Sequence, residues 1–525
     1  MSRAQAIAQQ AVRLFTGTLL AKALDLTLYL LLAQALGATR FGQYMFALSF
    51  TLLFNALGDL GLSTVFTREV SRTPGHVREW LRACLTLKLG FSVIVLVAVP
   101  LAARFGPGGS ESLALVMPIV IGMLLNSTAL LFDGLLRAAG RAGRSGMNLT
   151  LQSIAALACG VLLLRLGFGP RAGAYAFLVG AIVRSLSAFV WSRDLWSRGA
   201  LEAREANEPG HVEGAGAGGG AGAIAGDGEA VVATLAPTPV RYGMLIREAF
   251  PLALSGIFIA LYFRIDSVVL RTLRGDQAVG LYAGAYRMFE AFAMLAVTFR
   301  TVLFPFMART ADGPGGSLAV LCRKSIRLHL LFTFGVAVFF TFEAPAIVRV
   351  VLGPGYAAAA PALAILMWAL PGSYMADTLL FLLTAQRRQS LGTWAVGITA
   401  AFNITLNLLL VPHLSFLGSS AATVASEWLS FALLFAMFQR AAPVPGIVAV
   451  VWRPIVAGAA LAAVLAATSS WVPHGIAGLA IAGVGSLAAY ALVLGALGAF
   501  GQEDLALLRG VLPGARSRAS EGAPS

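Results

Sequence analysis

Charge is scarce in this sequence. Only 12% of its 525 residues are Asp, Glu, Lys or Arg, about half the fraction of a soluble globular chain. That shortage excludes a water-soluble domain with a charged shell. Cysteine is nearly absent as well: Cys84, Cys159 and Cys322 fall inside or at the ends of apolar runs. An odd number with no close spacing excludes a disulfide framework and a zinc site. Alternating segments of about 10 residues are missing, which excludes a membrane β-barrel. The glycine run near residue 217 follows no strand, opens no helix and lacks a Gly-Lys-Ser/Thr step. It is therefore not a phosphate loop, and no ATP site is visible elsewhere.

What is present is apolar sequence, 58% of the chain. Runs of about 20 residues, each long enough to cross a bilayer, recur along nearly its whole length. About fourteen spans are expected from such runs, at 11–36, 42–66, 80–103, 113–137, 147–167, 171–193, 245–272, 278–308, 318–342, 358–384, 390–412, 417–439, 447–470 and 475–499. The fold class is an all-α polytopic membrane protein. Arg3 and Arg13 precede the first run as in a signal peptide, but that run is too long and holds Lys22 and Asp25. No small-residue cleavage site follows, so it reads as a retained first helix.

The net charge of +14 is carried almost entirely by arginine. The arginines stand singly between apolar runs, as loop anchors do, rather than in a nucleic-acid-binding patch. The even-numbered connections hold Arg68, Arg72 and Arg78; Arg137, Arg141 and Arg144; Arg193, Arg198 and Arg241; Arg309, Arg323 and Lys324; Arg387 and Arg388; and Arg440. The opposite connections are several-fold poorer. With the basic side inside, both termini are expected on the cytoplasmic side.

Residues 194–241 are rich in Gly, Ala and Glu and read as a flexible cytoplasmic linker. They divide a first lobe (1–193, six spans) from a second (242–440, six spans). Two further spans (441–500) and a cytoplasmic tail (501–525) follow. The lobes look like copies of each other. "FGQYMF" (Phe41–Phe46) and "VGLYAG" (Val279–Gly284) follow a charged apolar helix and a short turn, and aligning Gly42 with Gly280 also aligns Tyr44 with Tyr282. The fourth span of each lobe runs into "LLRAAGRAGRSG" or "LLTAQRRQSLG". Both lobes begin on the same side, so this is a parallel repeat about an axis along the membrane normal.

The stretch Ala35–Arg72 carries Leu36-Gly37, then Phe41-Gly42-Gln43-Tyr44, Gly58-Asp59-Leu60-Gly61 and Thr67-Arg68-Glu69, in that order. In this it resembles the Wzx-type polysaccharide flippases of the multidrug/oligosaccharidyl-lipid/polysaccharide exporter superfamily. The likeness extends more loosely to about residue 440. It departs from many relatives in having fourteen spans rather than twelve, as the related lipid II flippases do, and in its Gly-rich linker. The resemblance implies two pseudo-symmetric six-helix lobes rocking about a central cavity. It also implies export of an undecaprenyl-pyrophosphate-linked oligosaccharide repeat unit for O-antigen or exopolysaccharide biosynthesis, with a polymerase and co-polymerase as pathway partners. No cofactor is implied beyond a proton or sodium gradient, and no catalytic residue.

Charges inside the spans are expensive, about 2.5 kcal/mol or more each at the membrane centre, and so mark candidate sites. Lys22 and Asp25 are three apart on one helical face; they either line the cavity or neutralise each other. Arg264 and Asp266 lie about 200° apart around a helix and do not pair. Arg264 either faces a cavity or snorkels to the outer headgroups. Arg287 and Glu290 stand i,i+3 and can pair. Arg300 is placed to reach the cavity or the cytoplasmic headgroups. Lys88, Arg184, Asp377 and Glu427 are single buried charges, each lining a cavity or forming an interhelical pair. Asn55 and Asp59 look into one space, and Asn126 and Asp133 share a face. The expected substrate-binding set is Lys22, Asp25, Asn55, Asp59, Arg264, Arg287 and Arg300. The expected ion-coupling set is Asp25, Asp266, Glu290, Asp377 and Glu427. Arginine forks suit a pyrophosphate or an acidic glycan. The small-residue spans 13 and 14 offer either close helix packing or a groove for a lipid tail.

A drug/cation antiporter of the same superfamily would favour a cavity dominated by carboxylates, and here cations are at least as frequent. A polysaccharide polymerase, ligase or glycosyltransferase needs a sizeable outer loop, and the outer loops are short; His413 and His474 sit singly in turns. A scaffold without a cavity leaves the buried charges unexplained.

Overall fold

A backbone surrounded by lipid must satisfy its own hydrogen bonds, and continuous apolar runs do so as helices. The computed structural model describes residues 3–106, 109–196, 242–296, 318–386, 388–440, 442–444, 446–468 and 475–498. The α-helices among them are, in order, α1 (Arg3–Leu53), α2 (Asn55–Asp59), α3 (Leu62–Arg72), α4 (Val77–Phe105), α5 (Leu113–Ala138), α6 (Ala142–Arg165), α7 (Arg171–Ser192), α8 (Tyr242–Ala293), α9 (Leu318–Val351), α10 (Ala360–Met367), α11 (Ala369–Ala385), α12 (Gln389–Leu414), α13 (Phe416–Gln439), α14 (Ile447–Thr468) and α15 (Ile476–Ala496). Among the described residues, 12 helices are long and apolar enough to cross a membrane. The chain is a polytopic, all-helical membrane protein.

Two of these helices each contain one expected span and the start of the next. α1 bends at Gly37 (φ 70°, ψ 169°) and α8 at Gly275 (φ 78°, ψ −175°), a region of backbone space that glycine enters without a Cβ penalty. Gly37 and Gly275 are separated by the same stretch of sequence as Gly42 and Gly280, so both halves turn at equivalent glycines. The expected second span is interrupted further on. Leu60 and Gly61 both take positive φ, 49° and 72°, and break the helix between α2 and α3. The expected tenth span is likewise split, at Trp368, whose carbonyl accepts a 3.0 Å bond from the Trp428 indole.

Contacts divide the chain into two compact units. The first takes the residues up to Leu28 together with Ala47–Ala260; the second takes Tyr29–Phe46 and the residues from Leu261 onward. The first is packed around Leu62, Phe66, Cys84, Phe132 and Leu135. The second has one core around Cys322, Ile326, Leu379 and Phe438 and another around Leu331, Val338, Leu461 and Tyr490.

Regular structure continues to Trp196 as a short 3-10 helix, three residues into the expected linker. Asp194 is held there by an ion pair of 2.5 Å with Arg141. The rest of that linker, the tail, the end of the eighth expected span with Arg300, and His474 lie outside the described residues.

Candidate functional site

The break in the second span exposes backbone and side-chain polar groups that a membrane cannot solvate. In the first unit, α4 and α5 supply their partners. Lys88 Nζ, 2% exposed, donates to Asp59 Oδ1 at 2.5 Å, to Ser63 Oγ at 2.9 Å and to Ser127 Oγ at 2.9 Å. It also donates to the Ser127 carbonyl. Ser127 Oγ in turn donates to the Gly58 carbonyl at 3.0 Å. Asp59 is thus held by a cation within the protein, while Asn55, one turn earlier, is exposed.

A second network in the same unit joins α5, α6 and α7. Asp133, fully buried, accepts from the Arg184 guanidinium at 2.8 and 3.2 Å and from the Asn148 amide at 2.8 Å. Arg184 reaches on to Asn126 and Gln152, each at 3.4 Å, and Ser187 Oγ donates to Asn148 at 2.7 Å. Lys88 and Arg184 are therefore interhelical pairs, the second of the two readings open for each of them. Lys22 is exposed and Asp25 half-buried.

The second unit arranges its charges otherwise. The bend at Gly275 folds α8 back, so that Tyr282 Oη donates to Asp266 Oδ2 at 2.5 Å and lies 3.0 Å from Thr423 Oγ1 on α13. Asp266 is 3% exposed, and its other oxygen has no hydrogen-bond partner among the described residues. Glu427, also buried, has Tyr262, Ser373 and Asp377 beside it. Arg287 is buried, pairs with Glu290 and lies 4.4 Å over the Tyr29 ring. Its Nε is without a hydrogen-bond partner among the described residues, and Glu290 is 40% exposed. Arg264 is half-buried and, among the described residues, has no hydrogen-bond or ion-pair partner. It does not pair with Asp266, as the helical angle requires. Between α12 and α13, Ser419, Asn407, Asn403 and Ser426 form a buried chain of hydrogen bonds of 2.7–3.2 Å.

The second unit also holds an apolar cavity of about 520 Å3. Phe292, Leu331, Phe339, Leu461, Leu479 and Tyr490 line it, from α8, α9, α14 and α15. The expected small-residue spans 13 and 14 thus border a cavity. Its size lies within the range of small-molecule sites.

Sequence reasoning singled out the charges and missed their neutral partners: Ser63, Ser127, Asn148, Tyr282 and Thr423. Hydropathy treats an isolated Ser, Thr or Tyr in an apolar run as noise. A polar residue one or two turns from a buried charge is the signal that was available.

A family profile described as Polysaccharide biosynthesis protein matches residues 7–311. No curated protein matches the sequence. Among solved structures, the chain resembles the lipid II flippase MurJ in an inward closed conformation, with a TM-score of 0.70 at 13% identity, covering 92% of this chain and 98% of that one. It also resembles an inward-facing multidrug resistance MATE family transporter of the MOP superfamily (TM-score 0.56, 16% identity, 81% and 95% covered). A MOP superfamily transporter from Pyrococcus furiosus, described as having a binding pocket of reverse polarity, matches at 0.52 with 16% identity over 85% and 96% of the two chains. At these identities the likeness is one of fold.

Proposed function

The chain belongs to the polysaccharide biosynthesis protein family, and from that premise we propose that it is a flippase. It carries an undecaprenyl-pyrophosphate-linked oligosaccharide repeat unit from the cytoplasmic to the periplasmic leaflet, exposing its site to each face in turn. The membrane is the bacterial inner membrane, both termini are cytoplasmic, and the product feeds a surface-polysaccharide polymerase. The substrate is moved without covalent change.

One observation carries this reading. Lys88, Arg184 and Arg287 each have a carboxylate partner, whereas Arg264 and Lys22 have none among the described residues. An arginine keeps its charge in any environment, and an unpaired one inside a span costs several kcal/mol. A pyrophosphate head group supplies the missing anion, and the guanidinium fork fits it bidentately. The apolar cavity beside α14 and α15 supports a place for part of the lipid chain. Buried Asp266 and Glu427, with Asp25, Glu290 and Asp377, are the groups for coupling to protons or sodium.

The test is genetic and biochemical together. In a deletion strain, lipid-linked repeat units accumulate on the cytoplasmic leaflet and surface polysaccharide is lost. Arg264→Ala, expressed at parental level, fails to restore export. Normal surface polysaccharide in the deletion, with no second flippase present, refutes the reading.

A further inference from the structure

The bends at Gly37 and Gly275 are each followed by a helix segment, and the two segments touch. Within the second unit, Gly42 meets the backbone of Asp276 and Gly280. A methyl group at Gly42 would collide with the Asp276 carbonyl oxygen and lie 2.8 Å from the Gly280 nitrogen. Gly280 meets Ala38 in return: a methyl there would collide with the Ala38 carbonyl oxygen and lie 3.1 Å from the Ala38 Cα. Gly42 and Gly280 are equivalent positions of the repeat, and so are Ala38 and Asp276. The contact is therefore reciprocal, each glycine approaching the carbonyl four residues before the other. Helix backbones approach this closely only where Cβ atoms are missing, and Cα–H···O contacts then replace side-chain packing.

One side of the contact is braced. The Asp276 carboxylate pairs with Arg271. The Arg271 guanidinium lies 5.1 Å over the ring of Phe46, one turn beyond Gly42. The circuit Gly42, Asp276, Arg271, Phe46 thus closes on itself. The pair is only 18% and 16% exposed, so salt screens it less than a surface pair. The equivalent positions of the first half carry Ala38 and Ala33 and have no such brace.

We propose that this reciprocal glycine contact, braced by Arg271 and Asp276, is a clasp that holds the segments after Gly37 and Gly275 together, and that a side chain at either glycine releases it. The clasp is independent of what the protein transports, so its test does not use the substrate. In full-length protein with Cys84, Cys159 and Cys322 replaced by alanine, Met45→Cys provides a reporter thiol at a site 2% exposed. Its rate of reaction with a membrane-impermeant maleimide is measured in nanodiscs.

Gly42→Ala and Gly280→Ala each raise the labelling rate about tenfold. The double variant is no faster than the faster single one, because either methyl breaks the same contact. Arg271→Gln and Asp276→Asn leave the glycine contact free of clashes and each raise the rate by a smaller factor, again without adding. Parental rates in both glycine variants, in monodisperse protein, overturn the clasp, and multiplying effects overturn its reciprocity. If the glycine variants do not fold, the brace variants decide alone: parental rates in both overturn the proposal.

Discussion

The two units treat their buried charges in opposite ways. In the unit that contains α4 to α7, Lys88 and Arg184 sit in networks where each charged group meets a partner. The buried polar side-chain atom left unbonded there, among the described residues, is the Thr51 hydroxyl. In the other unit Asp266 Oδ1, Arg287 Nε and Thr399 Oγ1 are, among the described residues, buried and without a hydrogen-bond partner, and Arg264 makes no hydrogen bond or ion pair there. A completed network rigidifies its surroundings and fixes one arrangement. An incomplete one costs free energy until a ligand, an ion or a rearrangement completes it. The difference separates a braced scaffold from the part of the molecule in which a binding partner would have most to offer.

The comparison can be broken first where the expected effect is largest. Asp133→Ala removes the carboxylate but leaves the Arg184 guanidinium buried, which costs about 3–5 kcal/mol; Lys88→Ala does the same to Asp59. Both variants should lose thermal stability in detergent, read from the unfolding midpoint of the purified protein. Unchanged midpoints in both would remove the distinction between the units.

Arg264→Ala should behave in the reverse manner. With no ion pair to break, it should keep the parental unfolding midpoint and lose export, whereas Arg264→Lys keeps part of it. A charge-assisted hydrogen bond contributes about 1.5–3 kcal/mol, so the alanine variant should bind a soluble pyrophosphate analogue roughly ten- to a hundredfold more weakly. Full export by Arg264→Ala would make this arginine a headgroup anchor.

Asp266→Asn keeps the shape of the Tyr282–Asp266–Thr423 group and removes its charge. Folded protein should persist while the dependence of export on a proton or sodium gradient disappears. Gradient dependence that survives in Asp266→Asn and in Glu427→Gln would exclude both from coupling. The smallest effect is expected at the apolar cavity. Ser486→Phe fills part of it and should slow export of long-chain substrates a few-fold, with little effect on short-chain analogues. Equal rates for both chain lengths in parent and variant would separate the cavity from the lipid.

Much of the architecture was legible in advance, because a bilayer imposes a length and an apolar composition on anything that crosses it. Most expected spans coincide with described helices, including the segments on either side of Gly37 and Gly275, while the second and tenth are broken. The break between α2 and α3 was not foreseen. Leu60 in the left-handed region has no sequence signal, and the break is tolerated because Lys88 and Ser127, on other helices, satisfy the groups it frees. Arg287 with Glu290 was readable because i,i+3 spacing is local. Arg184 with Asp133 was not, because the partners are brought together only by the packing of α5 against α7.

The sequence by itself determined the class of molecule, the repeat and the identity of the expensive charges. Each of these follows from composition and from local spacing along a helix. Only the tertiary structure decided which charges are spent within the protein and which are not. It also decided that Gly42 and Gly280, aligned as copies of a repeat, touch. The physical reason is common to both. Pairing inside a membrane protein depends on which helix faces lie within about 3 Å of one another, and helical periodicity fixes a face without fixing what it faces.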